Sequence, residues 1–163
     1  MSHRVGLDQA LKLLAYPIKN SGVKVERRYD DDTPEIEAYG GMLNQVWTNL
    51  IDNALDAMPG GGTLALVARP DGDHVLVEVI DTGTGIAPEK VGRVFDPFFT
   101  TKGVGEGTGL GLDLVRRIVE TTHRGRVAVR SAPGCTNFTV RLPLRPVPEE
   151  NEHEAPAEVA SEA

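Results

Sequence analysis

The sequence predicts an α+β fold, a two-layer α/β sandwich in which a mixed, mostly antiparallel sheet carries helices on one face. Three observations lead there. Residues 43–58 place apolar side chains at i, i+3, i+4 and i+7 without a break, the mark of a helix buried along one side. Five short stretches, 23–29, 63–69, 74–81, 126–131 and 136–142, read as strands. Two of them flank Pro70-Asp71-Gly72-Asp73, a hairpin signal, so antiparallel pairing is expected there.

The elements follow in order. Leu7, Ala10, Leu11, Leu14, Ala15 and Ile18 have helical spacing, and Pro17, which has no backbone donor, is expected to disturb the last turn. Asn20-Ser21-Gly22 is a stop signal. Val23 and Val25 then alternate with Lys24 and Glu26 as a strand, followed by the polar turn Asp30-Asp31-Asp32-Thr33-Pro34. The long helix runs through Leu43, Val46, Trp47, Leu50, Ile51, Ala54, Leu55 and Met58, and Pro59-Gly60-Gly61-Gly62 ends it. After the hairpin comes a glycine-rich stretch, 82–109. Leu110, Leu114, Val115, Ile118 and Val119 give a second amphipathic helix, and two strands close the fold. The expected organisation is an N-terminal helix leading in (1–22), one domain (23–144) and an acidic disordered tail (145–163), with Arg145-Pro146-Val147-Pro148 marking the boundary.

With 163 residues the chain is long enough for one well-buried core. The net charge of −7 is unevenly placed: the last 19 residues hold six Glu and one Arg, leaving −2 for the other 144. Neither part has the basic surplus of a nucleic-acid binder. The single cysteine, Cys135, excludes an internal disulfide framework and a multi-cysteine zinc site. The longest purely apolar run is 64–68, too short to span a bilayer, and the first residues lack an apolar signal core. A cytoplasmic location without membrane contact is the expectation.

Four local patterns bear on chemistry. Asn49 and Asn53 lie about 40° apart on one face of the long helix, beside its apolar stripe. Their carboxamide oxygens are neutral hard ligands suited to Mg²⁺ alongside phosphates, and they equally suit an ordinary polar helix edge. Asp81-Thr82-Gly83-Thr84-Gly85-Ile86 ends a strand in a carboxylate, followed by two glycines at alternate positions; a carboxylate there can accept from an exocyclic amine such as that of adenine, and a plain strand-to-loop turn explains the pattern equally well. Phe95, Phe98 and Phe99 fall within five residues, and belong either to a loop packed on the core or to a lid whose aromatic hinge docks and releases. Gly105-Glu106-Gly107-Thr108-Gly109-Leu110-Gly111-Leu112 opens the second helix, and is either an anion site, where backbone N–H groups and the helix dipole favour negative charge, or a mobile glycine linker. It matches neither the P-loop nor the dinucleotide fingerprint.

The order Asn49…Asn53, Asp81-x-Gly-x-Gly, Phe-Asp-Pro-Phe-Phe, Gly-x-Gly-Thr-Gly-Leu-Gly-Leu resembles the N, G1, F and G2 boxes of the catalytic ATP-binding domain of sensor histidine kinases. That domain, the Bergerat fold, is shared with gyrase, mismatch-repair ATPases and a heat-shock chaperone. The resemblance covers about residues 23–144.

It implies roles for particular residues. Asn53 is the expected Mg²⁺ ligand; Asn49 supports metal and phosphate and, with Lys102, is the expected catalytic contribution. Asp81 reads the adenine amino group, with Gly83, Gly85 and Ile86 shaping that wall. Thr101 and Lys102 belong to the ATP lid. Gly107, Thr108, Gly109, Leu110 and Gly111 form the phosphate-facing turn, and Thr136 contacts adenine. Cys135-Thr136 stands where the family usually has Gly-Thr, which is expected to add a side chain near the base. None of His3, His74, His123 and His153 sits on a helix like the family's phosphoacceptor, so the implied partners are a histidine-containing dimerisation domain, in cis or in trans, and then a response regulator. The cofactors implied are ATP and Mg²⁺.

Two alternatives stand beside this reading. An ATPase or serine kinase of the same superfamily often carries Glu one helical turn before the metal-binding Asn; here that position is Asn49, whose amide cannot take a proton at neutral pH. A non-catalytic adenine-nucleotide sensor would need the same binding boxes.

Overall fold

The computed structural model describes residues 6–34, 42–97 and 111–144. Helices α1 (Leu7–Leu13) and α2 (Ala15–Ser21) lead into strand β1 (Val23–Tyr29). Helix α3 (Met42–Asp56) is followed by β2 (Gly62–Asp71) and β3 (His74–Asp81). A short α4 (Pro88–Val91) precedes α5 (Gly111–Arg116), its π-helical continuation Arg117–Thr122, and strands β4 (Arg126–Ala132) and β5 (Cys135–Pro143).

The five strands form one sheet in the order β1-β2-β3-β5-β4. β1 and β2 are parallel, joined by a crossover through α3; the other neighbours are antiparallel. The expected mixed, mostly antiparallel sandwich is therefore the fold. The hairpin between β2 and β3 closes on Gly72-Asp73, with Asp71 paired to His74 and Gly72 at φ +61°. Pro133-Gly134 turns β4 into β5, with Gly134 at φ +85° as a Pro-Gly turn requires.

Strand alternation sends one row of side chains to the helices. Leu64, Leu66 and Ala68 of β2, Val75, Val77 and Val79 of β3, and Phe138, Val140 and Leu142 of β5 meet Val46, Trp47, Leu50, Ile51 and Ala54 of α3 in one core. The helix expected over 7–18 is two helices broken at Leu14. Pro17 lacks the N–H that would bond the Leu13 carbonyl, and its ring crowds that carbonyl, so the break falls just after Leu13, a turn upstream of the proline, rather than in the last turn. α1 is tied to the edge strand by Asp8, whose Oδ1 accepts from Arg27 Nε at 3.2 Å and from the Tyr29 hydroxyl at 3.1 Å. Burial and then the neighbouring Asp8 charge push the Tyr29 phenol well above its ordinary pKa, so it stays a donor. The second helix also departs from the expected regular form: six of its residues are π-helical, ending where His123 N–H and Nδ1–H both bond the Ile118 carbonyl.

Candidate functional site

Asp81 breaks a pattern. Val75, Val77 and Val79 face the core, and the next inward position of β3 is a carboxylate that is 1% exposed. Register places Asp81 opposite Leu64 on one side and Thr136 on the other, and Thr136 opposite Ser131. One rung of the sheet, on its helix-covered face, thus holds Asp81, Thr136 and Ser131. Asp81 Oδ1 accepts the Gly83 N–H at 2.8 Å. Burial pushes its carboxyl above the usual range, and the Gly83 hydrogen bond opposes the shift without cancelling it.

The loop after β3 is pinned against the end of α3. Thr84 N–H bonds the Ala57 carbonyl at 3.0 Å, and Thr82 Oγ1 accepts from Thr63 N–H at 3.0 Å. Gly83 lies so close to α3 that a Cβ there would come within 2.8 Å of Ala57 Cβ and nearer still to its carbonyl. Gly85, at φ +84°, would meet the Ala132 carbonyl at 2.7 Å. Both glycines therefore let backbone approach backbone, so the G1 pattern has a steric reason. Ile86 N–H donates to Ser131 Oγ at 2.8 Å, and Ser131 Oγ lies 2.7 Å from Thr136 Oγ1.

Asn49 and Asn53 stand half-buried on α3. Asn49 Nδ2 donates to the Gly111 carbonyl at 3.3 Å, which joins the N box to the start of α5. The Asn53 carboxamide makes no hydrogen bond among the described residues. These are neutral oxygen donors, and no group of three or more His, Cys, Asp or Glu placed to hold a metal ion is found among the described residues. Such a set fits a hard cation whose remaining ligands are phosphate and water oxygens. Phe95 packs edge-on against Phe138, with centroids 6.0 Å apart at 83°, so the first aromatic of the F box belongs to the core.

Asn49, Asn53, Asp81, Gly83, Gly85, Ile86, Gly111 and Thr136 thus occupy the end of α3, the loop beyond β3 and the facing ends of β4, β5 and α5. Thr101, Lys102, Gly107, Thr108, Gly109 and Leu110, with Phe98 and Phe99, lie outside the described residues. Cys135 corrects an expectation. It is exposed, while Thr136 is 2% exposed, because neighbours in a strand point to opposite faces; the cysteine does not crowd the rung of Asp81. Sequence reading missed Ser131. Its signal was the inward series Val127, Val129, Ser131 on β4, a polar side chain where an apolar one is due.

Residues 40–146 match the profile of the histidine kinase-, DNA gyrase B- and HSP90-like ATPases. The chain belongs to that family. Sporulation kinase E of Bacillus subtilis (strain 168) is 38% identical over 136 residues, which is 82% of this chain and 18% of that kinase. The chain spans less than a fifth of that relative's length. The nucleotide-free catalytic domain of the histidine kinase ThkA superposes with a TM-score of 0.77 at 28% identity, covering 86% of this chain and 92% of that one. Full-length ShkA in complex with AMPPNP gives 0.75 at 30% identity, over 86% of this chain and 30% of that one. The fold and the family of this chain are those of a histidine kinase catalytic domain. No helix among the described residues is long and apolar enough to cross a membrane.

Proposed function

We propose that the chain binds Mg²⁺–ATP and donates the γ-phosphate to a histidine on a separate dimerisation and phosphotransfer domain, which then serves a response regulator. The observation that carries this reading is the convergence of the two carboxamides of α3, the buried strand-end carboxylate Asp81 and the start of α5 on one end of the sandwich.

In this reading Asp81 accepts from the adenine amine and Thr136 lies beside it, while Gly83, Gly85 and Ile86 form the wall. Asn53 holds the cation, Asn49 supports metal and phosphates, and Gly111 closes the phosphate side. Thr101, Lys102, Gly107, Thr108, Gly109 and Leu110 are assigned to the phosphates by their boxes. Bound Mg²⁺ neutralises phosphate charge during transfer; what the chain itself supplies is positioning and exclusion of water. Asn49 offers no proton-accepting group, which favours transfer to a partner over autonomous hydrolysis.

The histidines among the described residues, His74 and His123, are poor acceptors. His123 is 2% exposed and donates to the Ile118 carbonyl at 2.9 Å, and His74 opens β3 in the sheet. Labelled ATP is expected to leave the chain without acid-labile, base-stable label and to label a histidine-containing dimerisation domain added in trans. Label on His123 that vanishes in His123→Ala would overturn the reading.

A further inference from the structure

We propose that the acidic segment 149–154 docks in cis on the far face of the sheet, the face turned away from the helices, through arginines of β2 and β4. The inference goes beyond the nucleotide reading and does not depend on it.

Strand alternation sorts the charges of the sheet. Residues one position away from the buried rows face outward. There, Arg28 bonds Glu26 at 2.7 Å and Arg141 bonds Asp71 at 2.8 Å. Glu78 accepts from Asn137 at 3.2 Å. Arg69, Arg126 and Arg130 are exposed and have no ion pair among the described residues. Register puts Arg69, Leu76, Arg141 and Arg126 on one rung, with Arg126 directly opposite Arg141. Like charges facing each other across two strands are unfavourable, and of this pair only Arg141 has its own carboxylate. Arg130 stands farther along β4, opposite Asn137. The far face thus carries surplus positive charge in a chain whose net charge is −7.

The complementary charge begins close by. Leu144 N–H bonds the Asp73 carbonyl at 2.9 Å, so the chain leaves the sheet at the β2–β3 hairpin, about 10 Å past Arg141 along β5. Glu149-Glu150-Asn151-Glu152-His153-Glu154 holds four Glu and no Lys or Arg, and lies outside the described residues. The chain from Leu144 to Glu149 spans up to about 17 Å, enough to turn back to the rung of Arg126 and Arg69. From Leu144 to Glu154 it spans up to about 33 Å, and Arg130 lies about 24 Å back along the strands. Single exposed ion pairs are weak, but a short tether holds the segment at an effective concentration of about a millimolar, so several act together. Charge attraction fixes no backbone geometry, so a segment expected to be disordered can bind in this way.

Cys135 supplies the probe. It is the one cysteine, is exposed, and faces the same side of the sheet as Arg130, about 7 Å along β5 from the residue opposite that arginine. A nitroxide label on Cys135 of the intact chain should broaden the amide signals of residues 149–154 at low salt, against a diamagnetic label as reference. The broadening should vanish at 1 M salt, where charges are screened beyond about 3 Å. It should also vanish in Arg69→Gln/Arg126→Gln/Arg130→Gln. The tail variant Glu149→Gln/Glu150→Gln/Glu152→Gln/Glu154→Gln should lose it too, and leaves every contact of the folded elements in place should the arginine variant fail to fold. Broadening that survives in the tail variant or at 1 M salt would overturn the inference. Broadening that fades on dilution would overturn it in favour of the tail of a second copy, and none at low salt would leave the face to an acidic partner instead.

Discussion

The two ends of the candidate site are built differently. At the base end, Asp81, Thr136 and Ser131 share one sheet rung, every one of them hydrogen-bonded, and the loop beyond β3 is bonded to the end of α3 and to β4. At the end proposed for the phosphates α3 and α5 share one side-chain hydrogen bond among the described residues, Asn49 to Gly111 at 3.3 Å, and Asn53 offers its carboxamide to no protein group among them. The base end takes its shape from the sheet and needs no ligand to hold it. The phosphate end has donors and acceptors left over, as suits a place completed by a charged ligand and a cation.

The largest expected effect comes from adding one methyl group at each end. Gly83→Ala forces a Cβ into Ala57 and should destabilise the domain by about 3 kcal/mol, read as a lower urea midpoint at unchanged slope. Gly111→Ala has room, since its Cβ would come no nearer than 3.9 Å to Asn49, and stability should stay within about 0.5 kcal/mol. Equal losses at the two positions would erase the contrast between a packed and an open end.

Asp81→Asn should lower ADP affinity about 100-fold and GDP affinity far less if, as proposed, the carboxylate accepts from the adenine amine. The same change should raise the thermal midpoint of the free protein. Burial raises the carboxyl pKa in the folded state, so this group's contribution to stability is full at acid pH and is lost as the pH rises through that raised value. The gain in Asp81→Asn is therefore expected to be greatest at neutral and alkaline pH and to fade as the wild-type carboxyl protonates. A midpoint that falls at every pH would mean that the ionised carboxylate is a net stabiliser of the fold. Smallest is Tyr29→Phe, far from the site. It removes the hydroxyl bond to Asp8 and should cost about 1 kcal/mol by denaturation while leaving nucleotide affinity unchanged.

The sheet and α3 were legible because their periodicities are long and unbroken: Leu43 to Met58 keeps one face, and 74–81 matches β3 at both ends. The N-terminal helix break lay hidden because a proline acts on the carbonyl four residues before it. The π-helical turn at Arg117–Thr122 was illegible for a related reason, since one register change leaves Ile118 and Val119 still buried and the apolar pattern intact. In the site, Asp81 was legible as a charge at the end of an apolar strand. Ser131 was not, because its meaning depends on register across two strands and on a loop amide 45 residues away.

The most direct measurement of the central claim is calorimetry of ADP binding with and without Mg²⁺, on wild type and on Asn53→Ala. The account predicts that Mg²⁺ tightens ADP binding to wild type about tenfold or more, that Asn53→Ala loses this gain, and that binding of adenosine, which has no phosphates, is the same for both proteins with or without Mg²⁺. A Mg²⁺-linked gain that survives intact in Asn53→Ala would contradict the account.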